Sequence, residues 1–243
     1  MTSETRELES TRELFRGQPT DLVEKKGSAK ASDSMEINKG YCVAYTAILC
    51  FACWQNSYVN GGTTQTPAVF QAKFGWDNDE AILYNTIISA SGYVGLSIGS
   101  LVGGSVVPMG RRRTILITQF LCIVASCITM ITHEAALSLG RVLLGIAAGI
   151  FNVAFGKMIT ETIPQQWVAS FTMSLNPAVA IGYIPCFGLG VLLPDPKDVQ
   201  ANVETEMWRV IWLMPALIGI VSIVLVLVIM PYEPVAFCLM EDR

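Results

Sequence analysis

Residues 140–164 read GRVLLGIAAGIFNVAFGKMITETIP, and the fold turns on how that stretch is taken. Most of it is apolar and about 20 residues long, the length a helix needs to cross the hydrocarbon core of a bilayer. Yet Arg141 stands near its start, and Lys157, Glu161 and Pro164 close it. A helix that only anchors a chain in lipid has no use for charges at both ends with glycines between them. Gly145 and Gly149 form a small-xxx-small face, along which a second helix backbone can approach closely. An ionisable side chain in such a segment is costly, so Arg141 is a functional-site candidate. The stretch predicts a helix packed inside a bundle of membrane-crossing helices.

The rest of the chain has the same character. Of its 243 residues 52% are hydrophobic and 15% charged, well below the roughly 25% charged residues of soluble domains. Apolar runs at about 40–59, 81–107, 114–132, 167–193 and 208–230 join the quoted stretch to make six predicted crossings. The expected class is therefore an all-α membrane protein: residues 1–39 a disordered tail, 40–231 a six-helix bundle, and 232–243 a short tail. Basic residues set the orientation. The first 39 residues carry seven cations and 111–113 carry three more, whereas the long loops at 60–80 and 194–207 hold only Lys73 and Lys197. Under the positive-inside rule both termini are expected in the cytosol. A net charge of −4 without a basic stripe argues against nucleic acid as a partner.

Chemistry-bearing clusters are scarce. Cys50 and Cys53 form the one CxxC, and His133 is the only histidine, so no metal, cofactor or catalytic set is expected. Gly95, Gly99 and Gly103 recur every fourth residue and predict a packing face. Gln55, Asn56 and Asn152 read either as the lining of a polar path or as interhelical hydrogen bonds. Asn176 precedes Pro177, whose missing N–H frees a carbonyl that must be satisfied by a neighbour or by water, so Asn176 is a cavity-lining candidate. Arg141 reads two ways, as a gating or coupling group or as a cation snorkelling from a helix end.

Three motifs in order resemble the major facilitator superfamily, sugar-porter branch. Gly103, Gly110, Arg111 and Arg112 are similar to its loop signature between the second and third helices. Gly140, Arg141, Gly145, Gly149, Glu161 and Pro164 resemble its fourth-helix signature, and Pro231 and Pro234 its motif after helix six. The resemblance covers residues 40–243 and implies the N-terminal six-helix half of a transporter. It implies gating or conformational roles for Gly103, Gly110, Arg111, Arg112, Arg141 and Glu161, and sugar-binding roles for Asn176, Gln55 and Asn56. Three network positions depart from the pattern, being Val107, Val168 and Val235. The position that holds an aspartate in proton-coupled members falls on Gln55 or Asn56, neither titratable, so facilitated diffusion is the expected mode.

The resemblance thus implies facilitative carriage of a hexose or similar small polar solute across a multi-pass membrane protein's bilayer, the plasma membrane first and an organelle membrane second. A second six-helix half is then required, from a homodimer, a partner chain or missing sequence. The competing expectation, motivated by the three valines, is a non-transporting structural or regulatory membrane subunit. An enzyme is not expected.

Overall fold

A computed structural model describes residues 39–229; the predicted tails at 1–39 and 232–243 lie outside the described residues except for Lys39, and so do the last two residues of the predicted bundle. The chain divides into two units at Tyr41, and the described part of the first is only the opening turn of helix α1. Everything below concerns the second unit, from Cys42 onward.

The described residues are mostly helical. In order they form α1 (Lys39–Ala52), α2 (Trp54–Gln65), α3 (Pro67–Phe74), α4 (Asn78–Val106), a 3-10 turn (Val107–Met109), α5 (Arg111–Thr129), α6 (Glu134–Thr162), α7 (Gln165–Thr172), α8 (Leu175–Gly190), α9 (Val199–Glu204) and α10 (Met207–Ile229). Five segments are long and apolar enough to cross a membrane: Asn78–Val106, Arg112–Thr129, Glu134–Thr162, Gln165–Gly190 and Met207–Ile229. Of these, Gln165–Gly190 is both the least buried and the least apolar. Large apolar side chains face outward, Leu101 at 81% and Val191 at 83% exposure. Such a surface suits acyl chains and not water.

Local chemistry sets the helix ends. The Asp77 N–H donates to Glu80 Oε2 at 3.2 Å, and Asp79 and Glu80 place negative charge in the first turn of α4, where the helix dipole favours it. His133 Nδ1 accepts from the Ala135 N–H at 3.2 Å and caps α6. Gly110 opens α5 at φ 124°, a backbone state that side chains with a Cβ rarely adopt.

The strongest pairing is α4 with α6, and glycine makes it. A Cβ on Gly95 would run into the Val142 carbonyl, and one on Gly99 into the Ile146 carbonyl. From the other side, Gly145 meets the Gly92 carbonyl and Gly149 the Leu96 carbonyl. Two glycine faces interlock, as the spacing predicted. At one end of the bundle Tyr45, Leu49, Ile115, Phe151, Phe155 and Val226 form an apolar core; a second core gathers Phe70, Trp76, Trp208 and Trp212.

Two expectations need correction. The predicted first crossing at 40–59 is two helices on either side of Cys53, whose N–H is shared between the Leu49 and Cys50 carbonyls at 3.1 and 3.2 Å. Each is shorter than a span by itself. The predicted loop at 60–80 is mostly helix, since α2 runs through Gly61 and Gly62 to Gln65 and α3 follows at Pro67. Glycine ordinarily weakens a helix, but Gly61 packs against Cys186 Sγ, where a Cβ would stand 2.7 Å away. Close packing, and not a turn, explains that glycine.

Candidate functional site

A cleft of about 310 Å³ opens between α2, α6 and α8, with Leu96 of α4 at its edge. Four asparagines line it: Asn56, Asn60, Asn152 and Asn176. Helical spacing brings them together. Asn56 and Asn60 stand one turn apart on α2, and Asn152 stands one turn beyond Ala148 on α6, so each pair of neighbours shares a face. Asn176 and Tyr183, two turns apart, complete the wall from α8.

The Asn56 Nδ2 amide donates to Asn152 Oδ1 at 2.7 Å. This leaves Asn56 Oδ1 and Asn60 Oδ1 buried without a hydrogen-bond partner among the described residues. An amide that keeps both donor and acceptor capacity suits a partner that itself both donates and accepts. Asn176 is exposed to the cleft, while Val59, Leu175, Val179 and Ala180 supply apolar wall. No charged side chain among the described residues lines it. The arrangement fits a small neutral solute bearing several hydroxyls: amides for the hydroxyls, and Tyr183 with aliphatic groups for the ring carbons.

Contacts between α2 and α8 keep that wall in place. Ser57 Oγ donates to the Val179 carbonyl at 2.6 Å, and a Cβ on Gly182 would stand 3.1 Å from Trp54 Cα. Pro177 sits in the first turn of α8, where its missing N–H would have found no acceptor within the helix anyway. The predicted crossing at 167–193 is interrupted just before Asn176 and Pro177, between α7 and α8.

The other candidates scatter. Gln55 is wholly buried, lines no part of the cleft, and its amide has no partner among the described residues. Arg141 lies inside the bundle at 1% exposure, so it does not snorkel; Nη1 donates to the Tyr58 carbonyl at 3.4 Å and the Trp212 ring lies 5.4 Å from Cζ. Gly103 packs on Val153, where a Cβ would meet its side chain at 3.1 Å. Gly110 shapes the turn into α5, Arg112 is half-buried beside it, and the Arg111 side chain lies outside the described residues. Glu161 is exposed in the last turn of α6. Val107, one of the three departures from the family pattern, is 1% exposed, and its N–H and C=O bond to Gly103 O and Gly110 N, so the turn closes through its backbone. Val168 is half-buried, and Val235 lies outside the described residues. Both thiols of the CxxC are free, with Cys50 Sγ 3.3 Å from Ser174 Oγ.

Sequence reasoning missed Asn60 and Tyr183. Gly61 and Gly62 make the sequence around Asn60 read as a loop, although its spacing from Asn56 is helical. For Tyr183 there was no signal beyond a two-turn spacing from Asn176.

At the end of the bundle opposite Gly110, Lys73 clasps α3 to the start of α10. Its Nζ donates to Glu206 Oε1 at 2.8 Å and to the Thr205 carbonyl at 3.1 Å, and Arg209 Nε reaches Glu206 Oε2 at 2.9 Å. The Lys73 hydrogen bond holds the Glu206 carboxyl below its ordinary pKa, with the charges of Lys73 and Arg209 acting in the same direction. Trp208 lies between the two cations, 5.6 Å from Lys73 Nζ and 5.4 Å from Arg209 Cζ.

Comparison with known proteins bears on this geometry. The family model described as "Sugar (and other) transporter" matches residues 42–238. Hexose transporter 1 of Plasmodium vivax (strain Brazil I) is 26% identical over 220 residues, covering 83% of this chain and 44% of that protein. Hexose transporter 1 of Toxoplasma gondii is 25% identical over 177 residues, covering 66% of this chain and 31% of that protein. The chain therefore spans less than half the length of these curated relatives. Among solved structures, the proton:xylose symporter XylE bound to 6-bromo-6-deoxy-D-glucose matches with a TM-score of 0.68 at 16% identity, over 77% of this chain and 44% of that one. That likeness establishes the fold.

Proposed function

This chain belongs to the sugar (and other) transporter family of major facilitators, and from that premise we propose that it is the N-terminal half of a facilitative carrier for a hexose or similar neutral polyol. One observation carries the reading: the cleft between α2, α6 and α8 is lined by four asparagines and, among the described residues, by no charge. Asn176 and Asn56 bind the solute's hydroxyls, and Asn152 orients Asn56 through the 2.7 Å hydrogen bond. Neither Gln55 nor Asn56 can exchange a proton at physiological pH, which favours facilitated diffusion over proton symport. Hexose transport by the relatives named above supports the choice of solute.

In this reading α1 and α2 together make a sixth crossing bent at Cys53, and both termini face the cytosol. A second six-helix half completes the carrier, from a second copy, a partner chain or further sequence, and the two halves rock about the midplane cleft. Gly103, Gly110, Arg111, Arg112, Arg141 and Glu161 serve that rocking at the ends and along the axis of the bundle. The plasma membrane is the proposed location.

The test is uptake of labelled glucose into proteoliposomes. Asn176→Leu should abolish uptake at unchanged expression and unchanged unfolding midpoint. Wild-type uptake by that variant removes Asn176 from the site. The second reading, a membrane subunit that carries no solute, rests on Val107, apolar and buried where the family's loop signature has a polar group. Hexose counterflow by the purified protein would rule it out.

A further inference from the structure

The asparagine cleft has two unlike ends. Ser57 Oγ bonds to the Val179 carbonyl, and a Cβ on Gly61 would stand 3.3 and 3.4 Å from Cδ1 and Cε1 of Tyr183. Two contacts with the same offset in sequence mean that α2 and α8 run side by side in one direction. Asn56 and Asn176 therefore lie toward the start of both helices, with Asn152 bonded to Asn56. Asn60 lies four residues beyond Asn56, about 6 Å further along the axis of α2 and at the level of Tyr183. One end presents three amides, the other a single amide and an aromatic ring.

The second end is held in place. The Tyr183 ring stacks on Phe187, with 5.5 Å between centroids and 14° between planes, and its edge rests on Gly61. One residue before that glycine, Asn60 Oδ1 is a buried acceptor with no partner among the described residues. Val59 and the Tyr183 ring supply apolar wall at this level of the cleft. A hydroxyl that donates to Asn60 Oδ1 is best matched when the carbon that carries it can lie against that wall.

A hexose is unequal in the same way. Most of its hydroxyls crowd on ring carbons, while one stands off the ring on a methylene. We infer that Asn60 and Tyr183 are the specificity-determining pair of the cleft: Asn60 Oδ1 accepts from the primary hydroxyl, the Tyr183 ring covers its methylene, and the cleft selects a hexose over a pentose. This rests on the sugar-carrier reading above and adds to it the direction in which the solute lies. A pentopyranose lacks the hydroxymethyl group and leaves Asn60 Oδ1 unpaired. A site built to bond a hydroxyl discriminates against the analogue without it.

The experiment is equilibrium binding of D-glucose, 6-deoxy-D-glucose and D-xylose to the purified full chain, read by titration calorimetry. The deoxy sugar keeps the outlying carbon and lacks its hydroxyl; xylose lacks both. The Kd should rise about tenfold from glucose to 6-deoxyglucose, the effect of one buried acceptor left unpaired, and further again to xylose. Equal Kd values for glucose and the other two overturn the inference and leave the sugar-carrier reading standing, with no variant needed. Asn60→Ala should bring glucose and 6-deoxyglucose to the same Kd, and a tenfold gap that survives removes Asn60 from the pair. Tyr183→Ser should narrow the step from 6-deoxyglucose to xylose, and an unchanged step removes the ring. Binding of none of the three sugars overturns the sugar-carrier reading itself, and this inference with it.

Discussion

Helix α6 turns two kinds of small-scale surface to its neighbours, and they do opposite things. Toward α4 it shows Gly145 and Gly149, and the backbones close until a single methyl would collide with a carbonyl. Toward α2 and α8 it shows Ala148 and Asn152, and a cleft of about 310 Å³ remains. The residues differ by only a few atoms. Where small side chains oppose small side chains the helices meet; where an amide of intermediate length is hydrogen-bonded to another amide, they are held apart. One interface is built for rigidity and the other for contents.

The largest effects should come from breaking the closed interface. Gly95→Ala places a Cβ against the Val142 carbonyl, which neither backbone can yield without shifting α4 off α6. The expected loss is about 3 kcal/mol in unfolding free energy, at the upper end of overpacking costs. Gly104→Ala is the control, since nothing lies within 4 Å of its Cβ position, and as an unhindered helical glycine it should hold or raise stability, by up to about 1 kcal/mol. Equal losses for the two variants would show that the glycine face is incidental.

The open interface should respond in function more than in stability. A double-mutant cycle with Asn56→Ala and Asn152→Ala is expected to give a coupling of about 0.6 kcal/mol, the usual worth of an interhelical hydrogen bond in a membrane. Each single variant should nonetheless lose most hexose uptake. A coupling near the cost of the Gly95 clash would mean that the asparagines hold the bundle together, and the contrast between the two faces of α6 would fail.

The smallest effect is expected far from both interfaces, at the Lys73–Glu206 clasp. Glu206 has a folded pKa below its unfolded value, so its stabilisation is present above the ordinary carboxylate range and is lost as pH falls through the lower folded pKa. Its carboxylate is exposed, which makes the acid-side decline slight. Lys73→Met should shrink that decline to the part that Arg209 sustains, read as the unfolding midpoint between neutral and acid pH. A steep decline that survives the substitution would place the titrating group elsewhere.

Much of the closed interface was legible in the sequence, because a repeat of glycine every fourth residue has few other uses in an apolar helix. The cleft was legible in part. Asn56 and Asn176 were expected at a polar path and do line it. Gln55, one residue earlier, does not: a single step along a helix turns a side chain by about 100°, enough to move it from the cleft into the core. Asn60 was hidden by its neighbours, since Asn-Gly-Gly resembles a turn until the partner that needs the glycine is known. That partner, Cys186, is far away in sequence, and no local pattern announces it.

The segment Gln165–Gly190 is at once the least buried of the five long apolar segments and the least apolar. In a protein solvated all round by acyl chains those two rankings should run in opposite directions, because the most exposed helix has the greatest need to match its solvent. Here they coincide. The outward face of this segment is therefore mixed: Ile181 and Ile184 are exposed and suit acyl chains, while Asn176 is exposed where the cleft opens. One segment thus presents two solvents' worth of surface, hydrocarbon-like at Ile184 and amide-bearing at Asn176.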